Sequence, residues 1–161
     1  MTKQEERLAA KYPETDTFLW HNENPKGHIT GDCLFRAAAG ATGLKWTEVV
    51  DAVCERMKKD ARDADFSMAK WLEGSGWTRH KQPRRDDGSK YTGEQWCKWL
   101  SVNYPNGELG SIIANIGGHH IVCIKPTNHG DGMNCRYKVL DIWNSTGKCI
   151  GIWWAKGANH E

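Results

Sequence analysis

The hydrophobic pattern of the chain changes once, near Ser111, and this change limits the fold more than any other feature. Before Ser111, apolar residues recur at the spacing of helices; after it, short runs rich in β-branched and aromatic residues alternate with Gly, Asn, Pro and Asp (IIANI, HIVCI, YKVLDI and KCIGIWW). Helices followed by strands, with no repeat and no long linker, predict an α+β fold. We expect N-terminal helices packed on a C-terminal antiparallel sheet of about four strands, in one domain over residues 1–161.

Spacing and end signals predict five helices in the first part of the chain. Asp32 is expected to cap the second helix, which stops at Gly43, and Thr47 to cap the third. Thr92 and Gln95 form a capping-box pattern before the last. The predicted ranges are Thr2–Lys11, Cys33 to about Thr42, Glu48–Lys59, about Phe66–Glu73, and a segment after Thr92.

Two segments are predicted to be loops. Tyr12–Ile29 contains two prolines and a glycine, which favour an ordered loop. Arg79–Lys90 holds five basic residues, but Asp86 and Asp87 lie in its middle, so a solvated connection fits it better than a phosphate-binding loop.

Charge and hydropathy exclude several classes of partner. The chain has 22 basic and 20 acidic residues, a balance that does not indicate a nucleic-acid surface, and we expect no nucleic-acid partner. No run of 18 apolar residues occurs and the N-terminus lacks an apolar signal region, so we expect no membrane association and a cytoplasmic location. The six cysteines are expected to be free thiols, because a chain of this size needs no disulfides and shows no export signal. There is no C-x-x-C pair, which argues against a structural zinc site, and we expect no metal and no cofactor.

Nine tryptophans are unusual for this length. Most are expected in the core, where their large apolar surface is best buried. Trp153 and Trp154 are neighbours in the last predicted strand, so their side chains must face opposite ways. The pair is therefore either an interface, or a core edge together with the wall of a cleft.

Cys33 is the first candidate for chemistry because it opens a predicted helix. Unpaired N–H groups and the positive end of the helix dipole stabilise an anion there, which lowers the pKa of a thiol. The backbone N–H of Cys33 would also face a developing oxyanion. A second, side-chain donor would come from the preceding loop, and its candidates are Asn22, Asn24, His28 and Thr30.

A thiolate nucleophile needs a base and a group that orients the base. His120 opens the apolar strand HIVCI, and its neighbour His119 must point to the opposite face. Asp141 ends the next apolar run, where an acidic residue is uncommon. Asp141 could instead cap the following turn. Asn144 is the alternative residue for orienting the base, and His119 is the alternative base.

Three stretches resemble a known superfamily. Thr30–Ala37, TGDCLFRA, is similar to the nucleophile helix of papain-like cysteine peptidases and to the D-G-N-C-L-F-R-A motif of ovarian-tumour-type deubiquitinases. The stretches GHHIV and LDIWNS resemble uncharacterised bacterial and phage proteins of papain-like fold. The resemblance implies a papain-like fold with Cys33 as nucleophile, His120 as base and Asp141 as orienting acid. Thr30 stands where the deubiquitinase motif has Asp, and no residue matches the papain oxyanion glutamine.

The leading hypothesis is a thiol-dependent hydrolase that cleaves a peptide, isopeptide or amide bond in a peptide or protein substrate. The alternative is an inactive papain-like binding module that uses the Trp-rich surface and the Arg79–Lys90 segment. A weaker hypothesis is a metal-dependent nuclease, from the spacing of His119, His120, Asn128 and His129. Weakest of all is a zinc site of His119, Cys123, His129 and Cys135, because its spacing is irregular.

Overall fold

The computed structural model describes residues 1–128 and 135–157, which form five helices and six strands. The helices are α1 (Lys3–Lys11), α2 (Cys33–Thr42), α3 (Trp46–Asp60), α4 (Ala64–Gly74) and α5 (Gly93–Asn103). The strands are β1 (Phe18–Trp20), β2 (Trp77–His80), β3 (Ile112–Ile116), β4 (His120–Thr127), β5 (Arg136–Asp141) and β6 (Ile150–Lys156). None of these helices combines the length and the apolar character that a membrane span requires.

All six strands belong to one sheet, in the order β1-β5-β4-β3-β6-β2. Strand β1 runs parallel to β5 and the other pairs are antiparallel, so the sheet is mixed. The predicted α+β class is confirmed, but the expectation of about four antiparallel strands is wrong. Both unpredicted strands are short: β1 lies within the predicted Tyr12–Ile29 loop, and the last two residues of β2 fall in the predicted Arg79–Lys90 connection.

The ends of the helices follow from local hydrogen bonds. Thr2 and Thr92 each form a capping box, with Glu5 and Gln95 respectively. Helix α3 begins at Trp46, so the predicted cap at Thr47 is wrong. The Glu48 carboxylate accepts from the backbone N–H of Lys45 at 2.7 Å, which starts the helix earlier than predicted.

The sheet has an apolar core on each face. On one face, Trp96 and Leu100 of α5 pack on strand residues that include Trp153. On the other face, α2, α3 and α4 pack on residues that include Trp154. The adjacent tryptophans therefore point to opposite faces, as the alternation of a strand requires.

Helix α2 lies directly on β4. Gly40 permits the close approach, because a Cβ atom there would lie 3.3 Å from the Sγ of Cys123. This contact fixes α2 along β4, and thereby places the first residue of the helix above the first residue of the strand. Those residues are Cys33 and His120.

Candidate active site

Cys33 is half-buried in the first turn of α2. The ring of His120 and the backbone N–H of Ile121 lie close enough to its sulfur to stabilise a thiolate. The sulfur therefore lies where both α2 and the start of β4 supply donors that stabilise an anion.

His120 lies between the thiol and a carboxylate. Its Nε2 hydrogen-bonds the Oδ2 of Asp141, which leaves Nδ1 as the ring nitrogen for the thiol. The indole of Trp143 covers the imidazole, with ring centroids 5.0 Å apart. His119 is exposed, so the structure brings His120, and not His119, to Cys33.

Asp141, the last residue of β5, is 5 % exposed. While Oδ2 faces His120, Oδ1 accepts from Arg36 at 3.2 Å and from the backbone N–H of Ile142 at 2.8 Å. Asp141 thus orients the imidazole and also begins the following turn. The rival Asn144 is engaged within that turn, where its Oδ1 accepts from the backbone N–H of Thr146 at 3.0 Å.

Arg36 is the residue at this site that sequence reasoning missed. Only 7 % of Arg36 is exposed. Its Nε donates to Asp32 at 2.9 Å, and its Nη1 donates to Asp141. Most residues of α2 are apolar, but this helix buries the Arg36 guanidinium between two carboxylates. The spacing of Asp32 and Arg36, four residues apart, is a signal for an ion pair on a helix.

Asp32 precedes α2 as predicted, but its side chain makes no capping hydrogen bond. The carboxylate instead accepts from Arg36, from Asn24 Nδ2 at 3.1 Å and from Trp46 Nε1 at 3.0 Å. The expected capping role is therefore wrong. A buried carboxylate needs several donors, and through them Asp32 links the loop before α2 and the start of α3 to α2.

Two of the four candidate oxyanion side chains, Asn22 and Asn24, are engaged by residues other than Cys33. The Asn22 amide donates to Glu5 Oε1 at 3.1 Å and to the His28 carbonyl at 3.2 Å, and the Asn24 amide donates to Asp32. His28 and Thr30 are exposed. The backbone N–H of Cys33 remains as the donor that the start of α2 provides.

The surroundings favour a thiolate and an imidazolium. Burial opposes ionisation of Cys33, but the hydrogen bonds from His120 and Ile121 and the positive charges of His120 and Arg36 outweigh it and lower the pKa of the thiol. Burial likewise disfavours the charged form of His120, but hydrogen bonds to Asp141 and Cys33 raise its pKa to about 9. Each member of the pair is therefore stabilised in its charged form.

The residues suggested for a metal-dependent nuclease or a zinc site form no metal centre within the part of the chain that the structure describes. His129 lies outside the described residues, and His120 is engaged by Asp141 and Cys33. Within residues 1–128 and 135–157, no three His, Cys, Asp or Glu side chains are arranged to hold a metal ion. All six cysteines fall in these ranges and are free thiols.

No protein-family model, curated protein or solved structure matches this chain. The chemistry that the site can perform follows from its three groups. A thiol at a helix N-terminus, an imidazole against it and a buried carboxylate behind the imidazole supply a nucleophile, a proton acceptor and an orienting group.

Proposed function

We propose that the protein is a thiol-dependent hydrolase of papain-like fold that cleaves peptide, isopeptide or amide bonds. The observation that carries the proposal is the convergence of Cys33, His120 and Asp141 from three separate elements. The half-buried sulfur of Cys33, the imidazole of His120 and the buried carboxylate of Asp141 stand in sequence. This arrangement matches what an acyl-transfer nucleophile needs.

In the proposed reaction, His120 accepts the thiol proton and the Cys33 sulfur attacks the carbonyl carbon. The resulting oxyanion is stabilised by the backbone N–H of Cys33. His120 then gives its proton to the leaving amine, the carbon–nitrogen bond breaks, and a thioester remains on Cys33. Water, deprotonated by His120, attacks the thioester to release the acid and restore the thiol.

The alternative function is an inactive binding module on the same scaffold. The observation that favours it is the engagement of the Asn22 and Asn24 amides with Glu5, His28 and Asp32, away from the thiol. An oxyanion site with a single donor loses about 10²–10³ in rate in enzymes that normally use two. In a binding module, Cys33 would react like an ordinary thiol.

Acylation by an activated phenyl ester of an acetylated amino acid tests the proposal. The thiolate should displace the phenolate and form a thioester that intact-mass spectrometry places on Cys33. Cys33→Ala should form no such adduct, whereas Cys54→Ala, which removes a partly buried thiol of α3, should behave as the wild type. Equal adducts in the two variants would show that Cys33 is not the nucleophile.

Hydrolysis completes the test. In the wild type, the thioester should disappear with time, and a panel of peptide and isopeptide anilides should be cleaved. In His120→Ala, any thioester should form slowly and persist, because no base activates water. A wild-type thioester that persists as long as the one in His120→Ala would favour the binding module.

A further inference from the structure

An aromatic pocket of about 160 Å³ lies on the face of the sheet that carries α5. Helix α2, which begins with Cys33, packs on the other face, so the pocket is separate from the candidate site. It has room for a ring or a single side chain, because clefts that enclose a whole small molecule measure about 300–1,000 Å³. Its aromatic lining consists of Tyr91, Trp96, Trp99, Tyr104 and Trp153.

The aromatic side chains at the rim of the pocket are open to solvent. Trp99 is 41 % exposed and contacts both Tyr91 and Tyr104, with ring centroids 6.3 and 6.2 Å apart. The ring planes are inclined by 54° and 68°, so none of these rings stacks flat on another. Val102, one turn further along α5, is 78 % exposed. Adjoining exposed apolar side chains of this kind mark an interaction site, where Trp and Tyr contribute much of the binding energy.

The inner wall of the pocket carries hydrogen-bond donors without acceptors. Trp96 is 1 % exposed and Trp153 is 9 % exposed. Their indole N–H groups make no hydrogen bond within residues 1–128 and 135–157, and neither nitrogen is fully enclosed, in contrast to that of Trp154 on the opposite face. A buried donor without an acceptor is costly, so the pocket favours a ligand that brings acceptors.

Arg84 gives the pocket a positive charge. Its Nη1 donates to the Gly88 carbonyl at 3.3 Å, and its guanidinium makes no ion pair in the part of the chain that the structure describes. The adjoining cleft is balanced in charge, with the ionisable residues Arg85, Asp86, Asp87 and Lys98 in its lining. An acidic group on a ligand would therefore complement Arg84, since a guanidinium is well matched to a carboxylate.

We propose that this pocket binds a proline-rich segment of a partner protein that carries an acidic residue beside the prolines. A proline ring is apolar and has no N–H, and a polyproline helix leaves its carbonyl oxygens free to accept. Tyr91, Trp99 and Tyr104 would contact the rings, as aromatic grooves do in several domains that recognise such segments. The indole N–H of Trp153 would donate to a carbonyl, and Arg84 would bind the acidic residue.

Single-stranded nucleic acid is the competing occupant, because bases also stack on aromatic rings. It requires a cationic groove that follows the phosphates, whereas the cleft beyond Tyr91 and Trp99 is balanced in charge. The proline-rich segment is therefore the better match. The inference adds a docking surface to the protein and does not depend on the reaction proposed for Cys33.

Fluorescence anisotropy with labelled peptides tests the docking surface. The probes are two short polyproline peptides, one with Glu at the amino end and one with Glu at the carboxyl end, because a polyproline helix can lie in either direction. In matched peptides, Lys replaces Glu, or alternating Gly and Ser replace the prolines. Labelled oligothymidine represents single-stranded nucleic acid.

The tighter of the two Glu peptides should bind about 10-fold more tightly than its Gly–Ser counterpart and about 3- to 10-fold more tightly than its Lys counterpart. Trp99→Ala should weaken binding about 10-fold. Leu44→Ala, at an equally exposed position outside the pocket, should bind as the wild type does. Trp153→Phe keeps a ring but removes the N–H, and should weaken the Glu and Lys peptides alike.

Arg84→Gln should remove the preference for Glu over Lys. Arg7→Gln, which neutralises an exposed arginine of α1 outside the pocket, should retain it. Thermal unfolding and the acylation rate of Cys33 should be the same in Trp99→Ala as in the wild type. Those two measurements separate loss of docking from loss of the fold or of the proposed reaction.

Four results would overturn the proposal. They are no saturable peptide binding up to about 1 mM, equal binding of the proline and Gly–Ser peptides, tighter binding of oligothymidine than of either Glu peptide, and peptide binding that Trp99→Ala leaves unchanged. Self-association that Trp99→Ala abolishes would also overturn it, because a second copy of the chain would then occupy this face.

Discussion

At the scale of single residues, the site depends on one carboxylate that serves two cations. Asp141 binds His120 through Oδ2 and Arg36 through Oδ1, so each oxygen has its own charged partner. Arg36 also engages Asp32, and its charge helps to lower the pKa of Cys33. In the proposed reaction, Arg36 would therefore be a positioning residue, which holds the carboxylate of Asp141 in place against His120.

Replacement of Arg36 by Met should be strongly destabilising, because it leaves two buried carboxylates, Asp32 and Asp141, without their shared counter-charge. We expect the free energy of unfolding to fall by about 3–5 kcal/mol, as when one partner of a buried ion pair is removed. Arg36→Lys keeps the charge and should lose less. Urea unfolding measures the stability, and the pH profile of Cys33 alkylation should move to higher pH in the Met variant.

Lys98→Met is the control, since it removes an exposed cation that contacts Glu94 at 2.9 Å on the surface of α5. Its unfolding curve and its alkylation profile should overlay those of the wild type, because exposed pairs contribute little. Equal unfolding midpoints for Arg36→Met and Lys98→Met would contradict the role given to Arg36.

At the scale of elements, the turn between β3 and β4 sets the position of His120. Gly117 and Gly118 have φ values of 65° and 89°, in the region that side chains rarely adopt. A Cβ atom on Gly118 would meet open space, so the glycine is needed for its backbone and not for room. The two glycines let the chain reverse within three residues and enter β4 directly at His120.

Gly118→Ala should therefore destabilise the protein by about 1–2 kcal/mol through backbone strain alone. It should also slow acylation of Cys33, because relief of the strain displaces His120. Gly74, in α4, has an ordinary φ, and a Cβ atom there would meet open space. Gly74→Ala should therefore leave the stability of the protein unchanged or raise it slightly. Thermal unfolding and acylation rates check both variants; a Gly118→Ala protein as stable and as reactive as Gly74→Ala would be the contrary result.

Local patterns predicted the elements that carry the site. The bounds of α2 follow from its apolar residues and from Gly43, whose φ of 76° ends the helix. Strand β3 was predicted to the residue, and His120 and Asp141 fall at strand ends as expected. These signals are all contained within a few neighbouring residues.

The features that were missed depend on distant partners. Strands of three and four residues show too little alternation to be recognised, and β1 exists because β5 pairs with it. Burial of Arg36 likewise depends on Asp141, which is 105 residues away in the sequence. The hydrogen bond from Asn22, a candidate oxyanion side chain, to Glu5 was also not predictable, because it joins residues that only the folded chain brings together.

At the scale of the whole molecule, the fold creates one thiol unlike the others. Burial raises the pKa of Cys123 to about 12 and raises that of Cys97 further, so neither should ionise in the native protein. Cys149 is exposed and lies outside the site. Among the residues that the structure describes, Cys33 is the thiol at which a helix N-terminus, an imidazole and a guanidinium meet, and we propose that this thiol therefore has a distinct reactivity.

The pH dependence of iodoacetamide alkylation, read for each cysteine by mass spectrometry in the wild type and in His120→Ala, tests that claim most directly. Because the pKa of Cys33 is lowered, its thiolate should appear below the ordinary midpoint of about 8.5. The imidazolium should persist until the pH passes about 9. In His120→Ala, burial dominates, and the Cys33 midpoint should rise to about 8.5 or above. A Cys33 midpoint that the substitution leaves unchanged would contradict the Cys33–His120 pair.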